Sequence, residues 1–269
     1  MGAEISNASA VVLLDELDYE RHGKVICYPK LDRKEFEARL GELRELRVLG
    51  LEFSGRMRLD GLMILGKGYV SVVVMVHMDQ GRRVLKIRRT DSRRADMRHE
   101  AAMLKEANGL GVGPRLFGVT NNMILMDYVK GSRLLEWLKT AKGRGMKKRI
   151  QRVLRRIVED CWRLDQAGID HGELSRASKH VIVDVRGRPV IVDFESASRT
   201  RRVSNVTSIC QFLFIGSEVA RQLEKVLPKL GKERLLESLR AYKKDQCREN
   251  LERLLQTCEL DTTIRKTVN

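Results

Sequence analysis

His171-Gly172-Glu173-Leu174-Ser175-Arg176-Ala177-Ser178-Lys179-His180-Val181-Ile182-Val183, followed by Val190-Ile191-Val192-Asp193-Phe194-Glu195, is the stretch whose reading decides the fold. An acidic residue stands on a loop ahead of a short apolar strand. Arg186-Gly187-Arg188-Pro189 then supplies a turn, and a second apolar run ends in Asp193. Two strands joined in this way make a hairpin. Glu173 and Asp193 then stand at its two ends and can face a common cleft.

The chain around this stretch has 269 residues, enough for one large domain or two small ones. No apolar run is long enough to span a bilayer, and the N-terminus lacks the basic-then-apolar layout of a secretory signal. Cys27, Cys161, Cys210, Cys247 and Cys258 are scattered without a C-x-x-C pair, which argues against a zinc site and against a disulfide framework. The expectation is a soluble, cytoplasmic protein with no obligate protein partner. Lys and Arg total 52 against 36 acids, a net charge of +16. That excess predicts a polyanionic partner, nucleic acid before a membrane surface. A heat-adapted surface would instead carry mixed signs in networks.

Upstream of the hairpin, Ile64 to Val74 reads as strand, glycine turn, strand, with Gly66, Lys67 and Gly68 at the turn. Such a turn can lay backbone N–H groups over phosphates. Arg83-Val84-Leu85-Lys86-Ile87 is a strand with a lysine among apolar residues, and a buried lysine needs a partner. A helix starting at Asp91 or Ser92 would carry Glu100. Gly109 to Gly118 is a turn-rich connector, and Met123-Ile124-Leu125-Met126 a buried strand leading into Asp127-Tyr128-Val129-Lys130-Gly131. Ahead of all this, residues 1–58 form an N-terminal extension. Ala10-Val11-Val12-Leu13-Leu14 is an apolar run, Val25 to Tyr28 a strand before Pro29, 33–47 an amphipathic helix opened by Asp32 and Glu35, and Leu49 to Phe53 another strand.

Past residue 130, Arg133 to Leu138 reads as a short helix. From Lys139 to Arg156 there are nine basic residues in eighteen positions and no acid. Ile150, Val153, Leu154, Ile157, Val158, Cys161 and Trp162 keep helical spacing, so the cations crowd the other face. Such density without compensating acids repels itself, and a phosphate backbone is its complement. The RNA-binding set expected here is Lys142, Arg144, Lys147, Lys148, Arg149 and Arg152. Arg88, Arg89, Arg93 and Arg94 add a second cluster, whereas charges over about 217–258 alternate in sign.

Glycine hairpin, Val-Leu-Lys-Ile, helical Glu, Met-Asp-Tyr-Val, His-Gly-Glu-Leu and Asp-Phe-Glu occur in this order over residues 64–195. That series resembles the atypical protein-kinase-like group, near the RIO kinases and the kinase subunit of the KEOPS complex. The pattern His-Gly-Glu-Leu-Ser with Lys-His and Asp-Phe-Glu is most similar to the archaeal RNA kinase family, which phosphorylates the 2′-hydroxyl of a uridine in the tRNA variable loop, at tRNA position 47. The resemblance implies an α+β, bilobal kinase-like fold, with residues 59–130 as the small lobe and 131–269 as the large lobe. It implies ATP and Mg2+ as cofactors and tRNA as partner.

By the same resemblance Lys86 would hold the α/β-phosphates, Glu100 would hold Lys86, and Asp193 would bind magnesium. Gly66, Lys67 and Gly68 would cover the phosphates. Backbone groups of Asp127 and Val129 would read the adenine edge, with Met126 behind it. Glu173 would orient or deprotonate the acceptor hydroxyl, and His171 would brace the loop. Kinases place Asn five residues after the catalytic acid, where Ser178 stands here, while counting back from the Val181 strand puts His180 in that slot. Glu195 replaces glycine and brings a third carboxylate to the metal. About ten residues separate Asp193 from the apolar helix at Val203 to Phe214, with no Ala-Pro-Glu motif, so a peptide-docking platform is missing. Two other readings stand beside the RNA kinase: an RNA-binding pseudokinase, and a RIO- or KEOPS-like protein kinase.

Overall fold

The structure, a computed structural model, describes residues 11–228 and 230–260. Ala10, the first residue of the apolar run at 10–14, and the rest of the first ten residues of the expected extension lie outside the described residues. The chain is α+β. In order it forms β1 (Val11–Leu13), α1 (Tyr19–Ile26), α2 (Arg33–Glu45), β2 (Gly50–Glu52), β3 (Met57–Leu59), β4 (Leu62–Ile64), β5 (Gly66–Lys67), β6 (Ser71–Met78), β7 (Gly81–Arg88), α3 (Arg98–Gly109), β8 (Leu116–Val119) and β9 (Met123–Asp127). There follow β10 (Gly131–Arg133), α4 (Leu134–Thr140), α5 (Met146–Gln166), β11 (Val181–Asp184), β12 (Pro189–Ile191), α6 (Asn205–Phe214), α7 (Glu218–Leu223), α8 (Lys232–Lys244) and α9 (Arg248–Thr257). Two compact units result. One holds the described residues up to Ala102 with Arg115–Tyr128, the other Met103–Pro114 with the described residues from Val129 onward.

The first unit is built on an antiparallel sheet of order β1-β2-β6-β7-β9-β8, with β5 pairing β6 beside β2. The β-branched run Val72-Val73-Val74 and the strand Val84-Leu85-Lys86-Ile87 supply its centre, as residues that pack well on a pleated surface. Side chains alternate along each strand. Val72, Val74, Val76, Leu85, Ile87, Met123 and Leu125 therefore share one face, and Val25, Ile26, Phe36, Leu40 and Leu43 of α1 and α2 cover it. Val73, Lys86 and Ile124 are cross-strand neighbours on the opposite face. There Ile124 packs with Met97 and Ala101.

The segment before residue 58 thus contributes two strands to this sheet and two helices to its core. Asp32 caps α2 by accepting the Glu35 N–H at 2.7 Å, as its sequence signal predicts. Val25 to Tyr28 is not a strand. Asp18 caps a helix by accepting from the Arg21 N–H at 2.8 Å, and Val25 and Ile26 fall with His22 on its buried face. α3 starts at Arg98, later than Asp91 or Ser92. The Asp91 carboxylate is taken by the Arg89 guanidinium at 2.7 Å, Ser92 Oγ accepts from Arg94 N, and Asp96 accepts from Arg98 N at 2.9 Å. The connector at 109–118 also ends early, because Leu116 already pairs with Met126.

In the second unit, β11 and β12 form the expected hairpin, with Val181 opposite Ile191, and β10 joins as a third strand. The short helix begins at Leu134 because Arg133 still belongs to β10. α5 buries Ile150, Val153, Leu154, Ile157, Val158, Cys161 and Leu164 as one stripe, and packs against α6. No helix among the described residues is long and apolar enough to cross a membrane.

Candidate functional site

Lys86 lies on a central strand of the first unit, on the face that α1 and α2 leave uncovered. Its Nζ meets Glu100 Oε1 at 2.6 Å, and both side chains are buried. A buried charge of either sign is expensive alone and tolerable in such a pair. Gly66 and Lys67 form β5, and the Gly68 N–H closes the turn by donating to the Ser71 carbonyl at 2.8 Å. Lys67 Nζ donates to the Tyr28 hydroxyl at 3.1 Å and sits 4.8 Å over its ring. Met126 and Asp127 end β9. The Asp127 N–H donates to the Arg115 carbonyl at 2.9 Å, and Val129 belongs to the second unit.

The second unit brings the other candidates together. Gly172 has φ +87, and a Cβ there would meet the Ser196 carbonyl at 2.9 Å, so the loop requires glycine. Glu173 follows and precedes a 3-10 helix, Leu174–Lys179. His180 closes that helix, and its N–H donates to the Ala177 carbonyl at 3.1 Å while its carbonyl accepts from Val192 N at 2.9 Å. The ring is thereby held between two acids. Nε2 is 3.0 Å from Glu173 Oε2, and Nδ1 is 3.6 Å from Asp193 Oδ2. The Ser196 hydroxyl donates to the other oxygen of Glu173. Asp193 adopts a left-handed backbone, φ +73, which turns the chain sharply after β12. Such outliers in non-glycine residues collect at functional sites. A carboxylate oxygen of Asp193 and one of Glu195 lie within 4.8 Å of each other. Ser178, the other candidate for the second metal position, is exposed on the 3-10 helix.

His171 supports the arrangement from behind. It is fully buried, its ring contacts Phe194 at 5.0 Å, Nε2 is 3.2 Å from the Val192 carbonyl, and its N–H donates to Asn205 Oδ1 at 2.8 Å. Burial, reinforced by the neighbouring His180, pushes its pKa down to about 4, so the ring is neutral at pH 7.

Sequence reasoning missed the groups that fix this loop. Asp165, at the end of α5, accepts from Asn205 N at 2.9 Å, Asn205 Nδ2 at 2.8 Å, Val206 N at 3.2 Å and the Tyr242 hydroxyl at 2.9 Å. It thus caps α6 from another helix. Arg201 donates to the Asp170 carboxylate at 2.8 Å and straps residues 196–204 onto the loop. The signal for the strap was Gly172, whose missing Cβ makes room for the Arg201 guanidinium.

The basic run is only partly uncompensated, because acids reach it from later in α5 and from distant segments. Lys139 pairs with Glu218 at 2.7 Å, Arg155 with Glu159 at 3.1 Å and Glu252 at 3.3 Å, Arg156 with Asp160 at 2.9 Å, and Lys147 approaches Glu259 at 3.9 Å. Arg149 lies 5.9 Å over the Trp137 ring. Among the described residues, no acid pairs with Lys142, Arg144, Lys148, Arg149 or Arg152. The self-repulsion expected of the whole run is therefore confined to these five.

Asp193 and Glu195 together offer the hard carboxylate oxygens that a divalent cation such as magnesium prefers. No protein-family model matches this sequence, and no curated protein matches it.

Proposed function

We propose that this protein is an ATP-dependent kinase whose acceptor is RNA, transferring the γ-phosphate to a ribose 2′-hydroxyl of tRNA, in the manner of the archaeal RNA kinases that place it on uridine 47. On this reading the two units are the small and large lobes of a protein-kinase-like fold, and the setting is the cytoplasm. The buried Lys86–Glu100 pair carries the proposal. An ion pair with that burial is weak as a source of stability, so a lysine held ready for an anionic ligand is the better account of its presence.

Lys86 holds the nucleotide phosphates, and Asp193 with Glu195 binds magnesium. When bound, the metal offsets charge on the phosphates in transfer. Glu173 accepts the proton of the acceptor hydroxyl. Its oxygens already accept from His180 and Ser196, and each keeps a further lone pair. Its side chain is 41% exposed, which leaves it reachable by substrate. The preference for RNA over a peptide acceptor rests on two features. Residues 196–204 are too short and too tightly strapped by Arg201 to form a peptide platform. Five cations on and before α5, without an acidic partner among the described residues, offer contacts to phosphate.

The test is incubation with ATP labelled at the γ-phosphate and total tRNA, followed by nuclease and alkaline digestion. A 2′-phosphate removes the hydroxyl that attacks the adjacent linkage, so the labelled nucleotide should appear in an alkali-resistant dinucleotide. Label in protein alone, or in neither, overturns the reading. Asp193→Ala should abolish transfer while tRNA binding persists.

A further inference from the structure

The chain has two tryptophans, and one of them, Trp137 on α4, stands beside the unpaired cations. Trp137 and Trp162 are both half-buried, and each has an arginine over its ring. Trp162 is satisfied within the fold. Its Nε1–H donates to the Gln246 carbonyl at 3.4 Å, and the Arg248 over its ring, at 5.0 Å, is itself paired with Glu159 and Glu252. Trp137 is left open. Its Nε1–H has no acceptor among the described residues, although a half-buried indole N–H usually finds one. Arg149 lies 5.9 Å over its ring, the longest such contact among the described residues. That guanidinium has no acid either, and its other contact is a 3.5 Å approach to the Lys142 carbonyl, at the limit of a hydrogen bond.

The surroundings carry charge of one sign. Lys142, Arg144, Lys148 and Arg152 are exposed and have no acidic partner among the described residues. A Cβ built at Gly143 or Gly145 would meet no described atom within 4 Å, so the loop between α4 and α5 is uncovered at both points. Cations alone bind any polyanion, paired or unpaired. An aromatic face adds a preference, because bases inside a duplex present only their edges, whereas an unpaired base offers its face to a ring and to a guanidinium plane. A base seated between Trp137 and Arg149 needs about 7 Å, twice the rise of stacked bases, so the guanidinium has to lift by only about 1 Å.

We propose that Trp137 and Arg149 form a clamp for an unpaired base, so that this surface takes RNA as a single strand, or as the unpaired part of a folded RNA, in preference to duplex. The proposal rests on the reading that the basic run from Lys139 to Arg156 meets RNA, and it specifies which state of RNA fits there. Trp137 supplies the stacking face and a free N–H donor, and Arg149 the opposite face. Lys142, Arg144, Lys148 and Arg152 neutralise the adjoining phosphates.

The experiment uses the full chain without ATP. The probes are an oligouridylate of about 20 nucleotides, longer than one stacking groove requires, and the same strand annealed to oligoadenylate. In Trp162→Phe the fluorescence comes from Trp137 alone. The single strand should quench it, and the duplex should bind through charge and leave it unquenched. Trp137→Ala should weaken single-strand binding by about 5- to 150-fold. It should leave duplex binding unchanged, and the slope of log Kd against log salt should stay the same, because an uncharged ring releases no counterions. Trp137→Phe, which keeps a ring and loses the N–H, should recover part of the affinity. Circular dichroism establishes that each variant is folded. Equal weakening for single strand and duplex, a changed salt slope in Trp137→Ala, or equal quenching by both probes overturns the proposal. Native RNA binding with no effect of Trp137→Ala removes the clamp and leaves the RNA reading standing, whereas a native protein that binds no RNA removes both.

Discussion

Lys86 and Glu100 show how one pair can be costly to break and cheap to replace. Each is buried, and each finds its counter-charge in the other at 2.6 Å. Removing one partner leaves an uncompensated charge in the interior, which costs about 3–5 kcal/mol, whereas replacing both by apolar groups of similar size is near neutral. Lys86→Met alone should therefore lower the urea midpoint markedly, and Lys86→Met with Glu100→Leu should restore most of it. Neither should transfer phosphate, so stability and activity separate in the double variant. His171 carries a second prediction at this scale. Its folded pKa of about 4 lies below the ordinary 6.5 of histidine, so between those values the unfolded chain binds the proton and the folded one does not. Stability from this group is complete above about pH 6.5 and is lost as pH falls toward 4, by up to about 3 kcal/mol. Urea unfolding between pH 7 and 4 should show that loss, and His171→Asn, which has no proton to gain, should show a shallower fall.

Asn205 opens α6 and joins three elements through one side chain. Its Nδ2 donates to Asp165 and to the Ile169 carbonyl at 2.7 Å, while its Oδ1 accepts from the His171 N–H. Asn205→Ala strands the loop N–H and removes two donors from buried acceptors, at about 1–3 kcal/mol for each unsatisfied group. Thermal unfolding should report that loss, while substitution of Arg253, exposed on α9, should leave the midpoint within a degree or two. None of this was legible in the sequence, because Asp165 and Asn205 are forty residues apart and neither belongs to a periodic pattern. What could be read were elements whose residues vote together. The hairpin from Val181 to Ile191 has apolar runs flanking a turn that holds Gly187, and α2 has both a cap and a buried stripe at Phe36, Leu40 and Leu43. Val25 to Tyr28 was misread because four residues are too few to separate a strand from the last turn of a helix, and the deciding cap, Asp18, lies seven residues upstream of Val25. Glu173 and Asp193 were picked out by their place at the two ends of the hairpin, and Glu195 by the resemblance, where it stands in place of glycine. His180 was one of two candidates for the second metal position, and its ring lies between Glu173 and Asp193.

Across the whole molecule, a net charge of +16 is an excess that local pairing cannot absorb. Within the run from Lys139 to Arg156, Lys139, Arg155 and Arg156 are tied to acids, and Lys147 lies at the limit of pairing. Paired cations already have their counter-charge and gain little from a phosphate. Lys142, Arg144, Lys148 and Arg152 have neither an acid nor a ring partner among the described residues, whereas Arg149 lies over the Trp137 ring, so these four are the positions where binding a polyanion releases most counterions. Replacing all four by Ala should weaken tRNA binding. It should also flatten the dependence of log Kd on log salt by about 0.7–0.9 for each phosphate that is no longer neutralised. Arg155→Ala serves as the internal control. It removes one cation of the same basic run, but from a network with Glu159, Glu252 and Arg248. It should lower the unfolding midpoint and leave the salt slope of RNA binding unchanged. Fluorescence anisotropy with labelled tRNA over a range of ionic strength distinguishes the two. Equal slopes for the native protein and the fourfold variant would show that the unpaired cations of this run are ordinary solvated surface.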